Sequence, residues 1–155
     1  MRSPRLPSVI QGEQTTEIAA APPAVFAILS DFERYPEWQD FLQRMTVLER
    51  DADGRPALVR AEADAKVTTL GMQLRCTHDA DRRVGWRAES GDLKAFDGAF
   101  DIADAGAGRS RVTFALQVDP GRRLGFLLRG GVGDRLRDRI LEGMLDGLRR
   151  RAEGA

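Results

Sequence analysis

The 155-residue chain holds one cysteine, Cys76, and one histidine, His78. A single thiol excludes an internal disulfide and any metal site built from several cysteines. A single imidazole leaves no histidine pair for a metal ion and makes a Ser-His triad a poor fit, so no metal is expected. Lysine is scarce too. Lys66 and Lys94 are the only two among 24 basic residues, and the arginine excess reads as GC-rich coding rather than function. Neither sign of charge prevails, with 24 basic against 24 acidic side chains, so no global pull toward nucleic acid or an anionic membrane follows. Long apolar runs are missing. None approaches the ~18 residues of a membrane span, and residues 1–10 lack the apolar stretch of a signal peptide. A cytoplasmic protein is expected, without stable membrane insertion or a nucleic-acid partner. The glycine-rich run at 129–133 lacks the Lys-Ser/Thr that would follow in a phosphate loop. Such permissive backbone reads better as a hinge or gate, and no cofactor is expected.

What is present suits a globular fold: 42% hydrophobic and 31% charged residues, on a chain long enough for one sizeable core. No repeat or composition break divides it. A single domain over residues 8–152 is expected, between loose tails at 1–7 and 153–155. Val9, Ile10, Thr15, Thr16 and Ile18 mark a first strand with a possible bulge at Gly12. Pro22 and Pro23 then open a helix that ends near Ser30-Asp31, and a second short helix follows around 35–38. Six strands come next, at 44–51, 57–67, 69–78, 84–89, 94–104 and 111–118, separated by Asp-, Pro- and Gly-rich turns. Leu136, Ile140, Met144 and Leu148 recur every four residues, widened by Leu141 and Leu145, and place a long helix at about 134–151.

Alternation shows which strand faces point inward. Phe96, Phe100 and Ile102 share a face with Gly98; Val112, Phe114, Leu116 and Val118 share another. In 57–67 one face carries Leu58, Arg60, Glu62, Asp64 and Lys66, and the other Val59, Ala61, Ala63, Ala65 and Val67. Small residues on an inner face suggest room, since packed interiors leave little unused space. Gly143 and Gly147, each worth about 1 kcal/mol against alanine in a helix, suggest close approach to the sheet or to a guest.

The order strand, two short helices, six strands, long helix, together with Ala21-Pro-Pro-Ala-Val-Phe, Asp31-Phe-Glu-Arg-Tyr-Pro-Glu-Trp, Val47-Leu-Glu-Arg, Gly85-Trp-Arg and Leu93-Lys-Ala-Phe-Asp-Gly, resembles the START-like (SRPBCC) superfamily. More narrowly it resembles the bacterial polyketide cyclase/dehydrase family, related to the coenzyme-Q-binding family. The resemblance covers residues 10–152. It implies an α+β helix-grip fold, a seven-stranded curved antiparallel sheet around the long C-terminal helix, with a cavity between them. Some members are aromatase/cyclases acting on poly-β-ketones; others carry quinones, lipids, sterols or plant hormones without chemistry. The tetracenomycin-type cyclases use a tyrosine just past the second short helix and a mid-sheet arginine. Those positions fall here at Leu42 and near Cys76 or Thr77, departures that count against that catalysis.

The expected ligand-binding residues are Trp38, Phe41, Val59, Ala61, Ala63, Leu70, Met72, Leu74, Trp86, Phe96, Phe100, Phe114, Leu136, Ile140 and Met144, with Tyr35 a further aromatic candidate. Aromatic walls suit a flat guest, and methionine supplies an adaptable one. No catalytic residue is assigned. The polar suspects Arg60, Arg75, Arg87 and Gln117 alternate to the outside, Cys76 has no adjacent base, and His78 sits at a strand end where a surface role is the simpler reading. The leading expectation is a monomer or weak homodimer that binds or transports a hydrophobic small molecule of polyketide, quinone or lipid type. The alternatives are a polyketide aromatase/cyclase or dehydrase, and a protein-interaction module without a ligand. The arginine-rich last helix, whose Asp134, Asp138, Glu142 and Asp146 allow pairing along the helix, leaves the third open.

Overall fold

The computed structural model describes residues 10–64, 68–125 and 131–154. The expected tail at 1–7, residues 65–67 of the expected strand 57–67 and part of the expected glycine-rich hinge lie outside them. The elements run β1 (Ile10–Ile18), α1 (Pro22–Ser30), a 3-10 helix (Phe32–Glu37), β2 (Leu42–Arg50), β3 (Pro56–Asp64), β4 (Thr69–Asp79), β5 (Arg83–Gly91), β6 (Ala95–Gly106), β7 (Arg109–Asp119), α2 (Gly121–Leu124) and α3 (Val132–Glu153). The seven strands form one sheet in the order β1-β7-β6-β5-β4-β3-β2. Every neighbouring pair is antiparallel. Strands β2 to β7 form a meander, and β1 closes on β7 at the far edge. The α+β helix-grip architecture read from the sequence is the one observed.

Local chemistry explains the joints. In the β2–β3 turn the Asp51 carboxylate accepts the backbone N–H groups of Asp53 and Arg55 at 2.9 and 3.0 Å, and Gly54 takes the left-handed conformation the turn requires (φ 82°). The backbone donors, Arg55 N–H foremost, hold the Asp51 carboxyl below the usual aspartate range. Helix α1 starts on its two prolines without a side-chain cap. Near its other end, the Tyr35 hydroxyl donates to the Leu29 carbonyl at 2.6 Å, satisfying an acceptor that the helix leaves without an internal partner.

Helix α3 buries Leu141, Met144, Leu145, Gly147 and Leu148, none of them in its first nine residues. Two glycines let it approach. A Cβ at Gly12 would stand 2.9 Å from the Arg137 side chain and 3.3 Å from Leu141. The expected bulge at Gly12 is absent, since β1 and β7 pair in unbroken register from Ile10 to Ile18. The glycine answers to helix packing instead. A Cβ at Gly147 would collide with the Trp38 carbonyl oxygen and lie 2.6 Å from the Gln39 amide nitrogen. That buried amide donates to the Gly143 and Met144 carbonyls at 3.1 and 3.3 Å. The far end of α3 is tied by Arg151 to Glu37 at 2.7 Å and by Glu153, which accepts the Ala19 N–H at 2.9 Å.

The outer face of the sheet is polar. Arg75 donates to Glu89 on β5 at 2.8 and 3.2 Å and reaches Glu49 on β2 at 3.2 Å. The intervening Leu58, registered with both Arg75 and Glu49, is buried although its side of β3 faces outward. Long arginine stems cover apolar surface in this way.

Candidate functional site

The inner face of the sheet is where the sequence leaves small residues opposite large ones. On β6 the inward positions are Phe96, Gly98, Phe100 and Ile102, all buried. Gly98 is registered with Trp86 on β5, and a Cβ there would stand 2.6 Å from Trp86 Cε2. The indole is therefore seated over bare backbone. It is surrounded by Phe32, Phe96, Phe100 and Phe114, with ring centroids 5.8–6.2 Å away.

Beside this cluster lies a cavity bounded by Phe32, Tyr35, Phe41, Leu42, Met45, Leu74, Trp86, Phe96 and Met144. None of these side chains carries a charge. The cavity measures about 20 Å³, close to the room one water takes and far below the ~300–1,000 Å³ of a ligand pocket. Much larger, open hollows lie elsewhere. One of about 820 Å³ spans the outer face, where Arg75, Arg83, Arg87, Glu89, Asp97 and Gln117 surround Gly85, Ala99 and Ala115. Six charged side chains, Glu13 among them, ring this open hollow, so it cannot shelter an apolar guest from water. The small interior cavity is the chemically suitable one.

Five of the fifteen expected ligand residues bound it: Phe41, Leu74, Trp86, Phe96 and Met144. Val59, Ala61, Met72, Phe100 and Phe114 are buried in the surrounding core, where Phe100 and Phe114 stack at 4.5 Å. The room expected beside Ala61 is flanked by Met45 and Met72, which register with it from either side and are both buried. Ala63 and Ile140 are half-buried against the core, and Leu70 is half-buried on β4. Trp38 is buried against Tyr35. Leu136 departs most from its expected place. It is 36% exposed and Val132 39%, because α3 packs against the core only from Ile140 onward. Gly143 likewise lines no wall; it is exposed, and a Cβ there would meet nothing within 4 Å.

Sequence reasoning missed Phe32, Leu42 and Met45 as wall residues. Phe32 stands in the Asp31-Phe-Glu-Arg-Tyr block and stacks on Tyr35 at 4.8 Å, a signal that could have been used. Leu42 and Met45 are both buried although three residues apart, because the β2–β3 register shifts between Leu42 and Arg44. A period of two cannot find a pair that straddles a bulge.

The titratable groups of the interior are few. Burial pushes the Cys76 thiol up to about 12, so it stays protonated and unreactive. Burial also raises the Tyr35 hydroxyl well above the ordinary tyrosine value, and that hydroxyl is already committed to Leu29. His78 is not a surface residue. It is half-buried, lies edge-on to Phe26 and Phe32, and makes a 2.7 Å bond from Nε2 to the Pro56 carbonyl. A carbonyl can only accept, so Nε2 carries the proton. His78 Nδ1, Trp86 Nε1, Trp38 Nε1 and Ser30 Oγ are buried without a hydrogen-bond partner. Among the described residues no three His, Cys, Asp or Glu side chains gather as a metal ion would need.

The family described as "Polyketide cyclase / dehydrase and lipid transport" matches residues 18–145. The chain belongs to this family. A comparison with curated proteins found no match. Among solved structures, a START superfamily protein of Mycobacterium smegmatis superposes with a TM-score of 0.82 at 23% identity, covering 94% of this chain and 98% of its own. A protein of Thermus thermophilus gives 0.77 at 20% identity, with 92% and 96% coverage. The Zhui aromatase/cyclase of Streptomyces sp. R1128 gives 0.71 at 18% identity, with 92% and 95% coverage. These identities show the shared START-like fold. Within the polyketide cyclase/dehydrase family this chain puts the apolar Leu42 on the cavity wall and a protonated thiol, Cys76, on the inner face. Arg75, Arg87, Arg60 and Gln117 are not on the cavity wall; the last three are exposed, and Arg75 is held by two carboxylates of the outer face.

Proposed function

We propose that this protein binds and carries a hydrophobic small molecule between the sheet and α3, without transforming it. The observation that carries the reading is the cavity wall: nine side chains, aromatic or aliphatic, with no charged group among them. Family membership supports the class of ligand, and Met45 and Met144 supply the adaptable side chains by which a closed cavity opens around a guest. At about 20 Å³ the cavity is collapsed, so binding and widening are one event and the guest selects a wider state. Val59, Ala61, Met72, Phe100, Phe114 and Ile140 form the supporting layer, and Trp38 positions α3 through the carbonyl that meets Gly147.

A cyclase or dehydrase needs an acid or base within reach of its substrate. One observation favours that second reading, the unpartnered Nδ1 of His78, which stands behind Phe32 at 5.9 Å between ring centroids. Against it, the Tyr35 hydroxyl is engaged and no arginine reaches the wall. Native mass spectrometry of the protein from its own host tests the carrier reading. A co-purifying apolar compound returned unaltered after incubation supports it. No adduct, together with no saturable tryptophan fluorescence change across aromatic and lipid probes, refutes it. Turnover of a poly-β-ketone that is lost in His78→Phe would establish the second reading in its place.

A further inference from the structure

Trp86 is the one cavity-wall residue with an unused side-chain hydrogen-bond donor. It is 7% exposed, and its Nε1 is buried with no acceptor. An indole N–H can only donate, and native proteins leave few such donors unpaired because the lost solvation is not recovered. The rings around it cannot help. Phe32, Phe96, Phe100 and Phe114 offer no acceptor atom, and Gly98 beneath it offers no side chain. The wall's one hydroxyl, on Tyr35, donates to Leu29 and makes no hydrogen bond with the indole. Charge is absent as well. The single buried acidic side chain among the described residues, Asp119, lies 3.8 Å from the Lys94 amine and accepts the Gly121 N–H at 2.9 Å, and it is not a cavity residue.

We infer that the guest is an uncharged aromatic compound whose carbonyl or ether oxygen accepts a hydrogen bond from Trp86 Nε1. This rests on the carrier reading above and narrows it. A carboxylate or an ammonium group would enter a wall with no counter-charge and lose its hydration. A bare hydrocarbon would leave the indole donor unpaired. An oxygen acceptor on a flat ring satisfies the donor while keeping the aromatic contacts of the wall.

The test titrates the full chain with three probes on one ring skeleton: 1-acetylnaphthalene, naphthalene and 1-naphthoate. The readout is the pair of indole N–H resonances from the two tryptophans of the ¹⁵N-labelled protein. The inference expects 1-acetylnaphthalene to saturate, to shift the Trp86 resonance downfield, and to bind at least about tenfold tighter than either analogue. Trp86→Phe removes the donor and should abolish the preference for 1-acetylnaphthalene over naphthalene, so that the ratio of the two affinities falls to about one whatever the lost bulk does to both. Equal affinities for the three probes, preferred binding of naphthoate, or an unmoved Trp86 resonance at saturation overturns the inference and leaves the carrier reading standing. Failure of all three probes and of a broader aromatic and lipid panel to saturate overturns both. The wild-type resonance decides the matter even if Trp86→Phe does not fold.

Discussion

Gly143 and Gly147 lie one turn apart on α3, yet substitution by alanine should move stability in opposite directions. In an exposed helix interior alanine is favoured over glycine by about 1 kcal/mol. At Gly143 nothing lies within 4 Å of the new Cβ, so Gly143→Ala should stabilise by about 0.5–1 kcal/mol. At Gly147 the same propensity gain meets a backbone carbonyl. The Trp38 oxygen cannot rotate away as a side-chain tip would, and the Gln39 amide, 2.6 Å from the new carbon, must also shift. Overpacking of this kind costs about 1–3 kcal/mol. Disturbing the buried amide that bonds to Gly143 and Met144 adds about 1–3 kcal/mol if it is left unpaired. After subtracting the propensity gain, Gly147→Ala should destabilise by about 1–5 kcal/mol. At this chain length a kilocalorie moves Tm by roughly 2–4 °C. Urea unfolding followed by far-UV circular dichroism, with thermal melts alongside, gives both values. If both variants shift in the same direction by similar amounts, the close approach of α3 to the Trp38–Gln39 corner is not what fixes glycine at 147.

Two further predictions concern ionisation. With its thiol pushed up to about 12 by burial, Cys76 should react with iodoacetamide at pH 8 about a thousandfold slower in the native protein than in urea, where an ordinary thiol ionises near about 8.5; native and unfolded rates within tenfold would refute that burial. The side-chain hydrogen bond from Arg75 lowers the Glu89 carboxyl, so ionised Glu89 favours the folded state. Its contribution is full above the ordinary glutamate value of about 4.3 and is lost as pH falls through the lowered one. The stability gap between the native chain and Arg75→Gln should therefore be widest above about pH 5 and close at lower pH, and a gap that stays constant across a urea series from pH 7 to 2.5 would refute the coupling.

The fold was legible because its signals are local. Strand β7 alternates from Arg109 to Val118, the Asp51 and Asp79 turns carry their own acceptors, and the leucines of α3 repeat at helical spacing. The site was legible only in part, because its members are chosen by tertiary contact. Alternation put Phe96 and Gly98 on one inner face but could not show that an indole from β5 rests on that glycine. Helical spacing treated Leu136 and Met144 alike, whereas α3 meets the core only from Ile140 onward. His78 looked peripheral at a strand end, yet α1 and the 3-10 helix bring Phe26 and Phe32 over it. The break in β2 register that turns both Leu42 and Met45 inward leaves no mark in residue type.

The pairing of Trp86 with Gly98 makes two positions on neighbouring strands interchangeable in bulk. One side of the cavity is set by where that bulk is placed, not by how much of it there is. Moving it across the strand boundary, with a small residue at 86 and a larger one at 98, would keep the layer filled while reopening space on the other side. Within this family such a trade offers a way to change which guests fit while leaving the sheet, its register and the seat of α3 untouched.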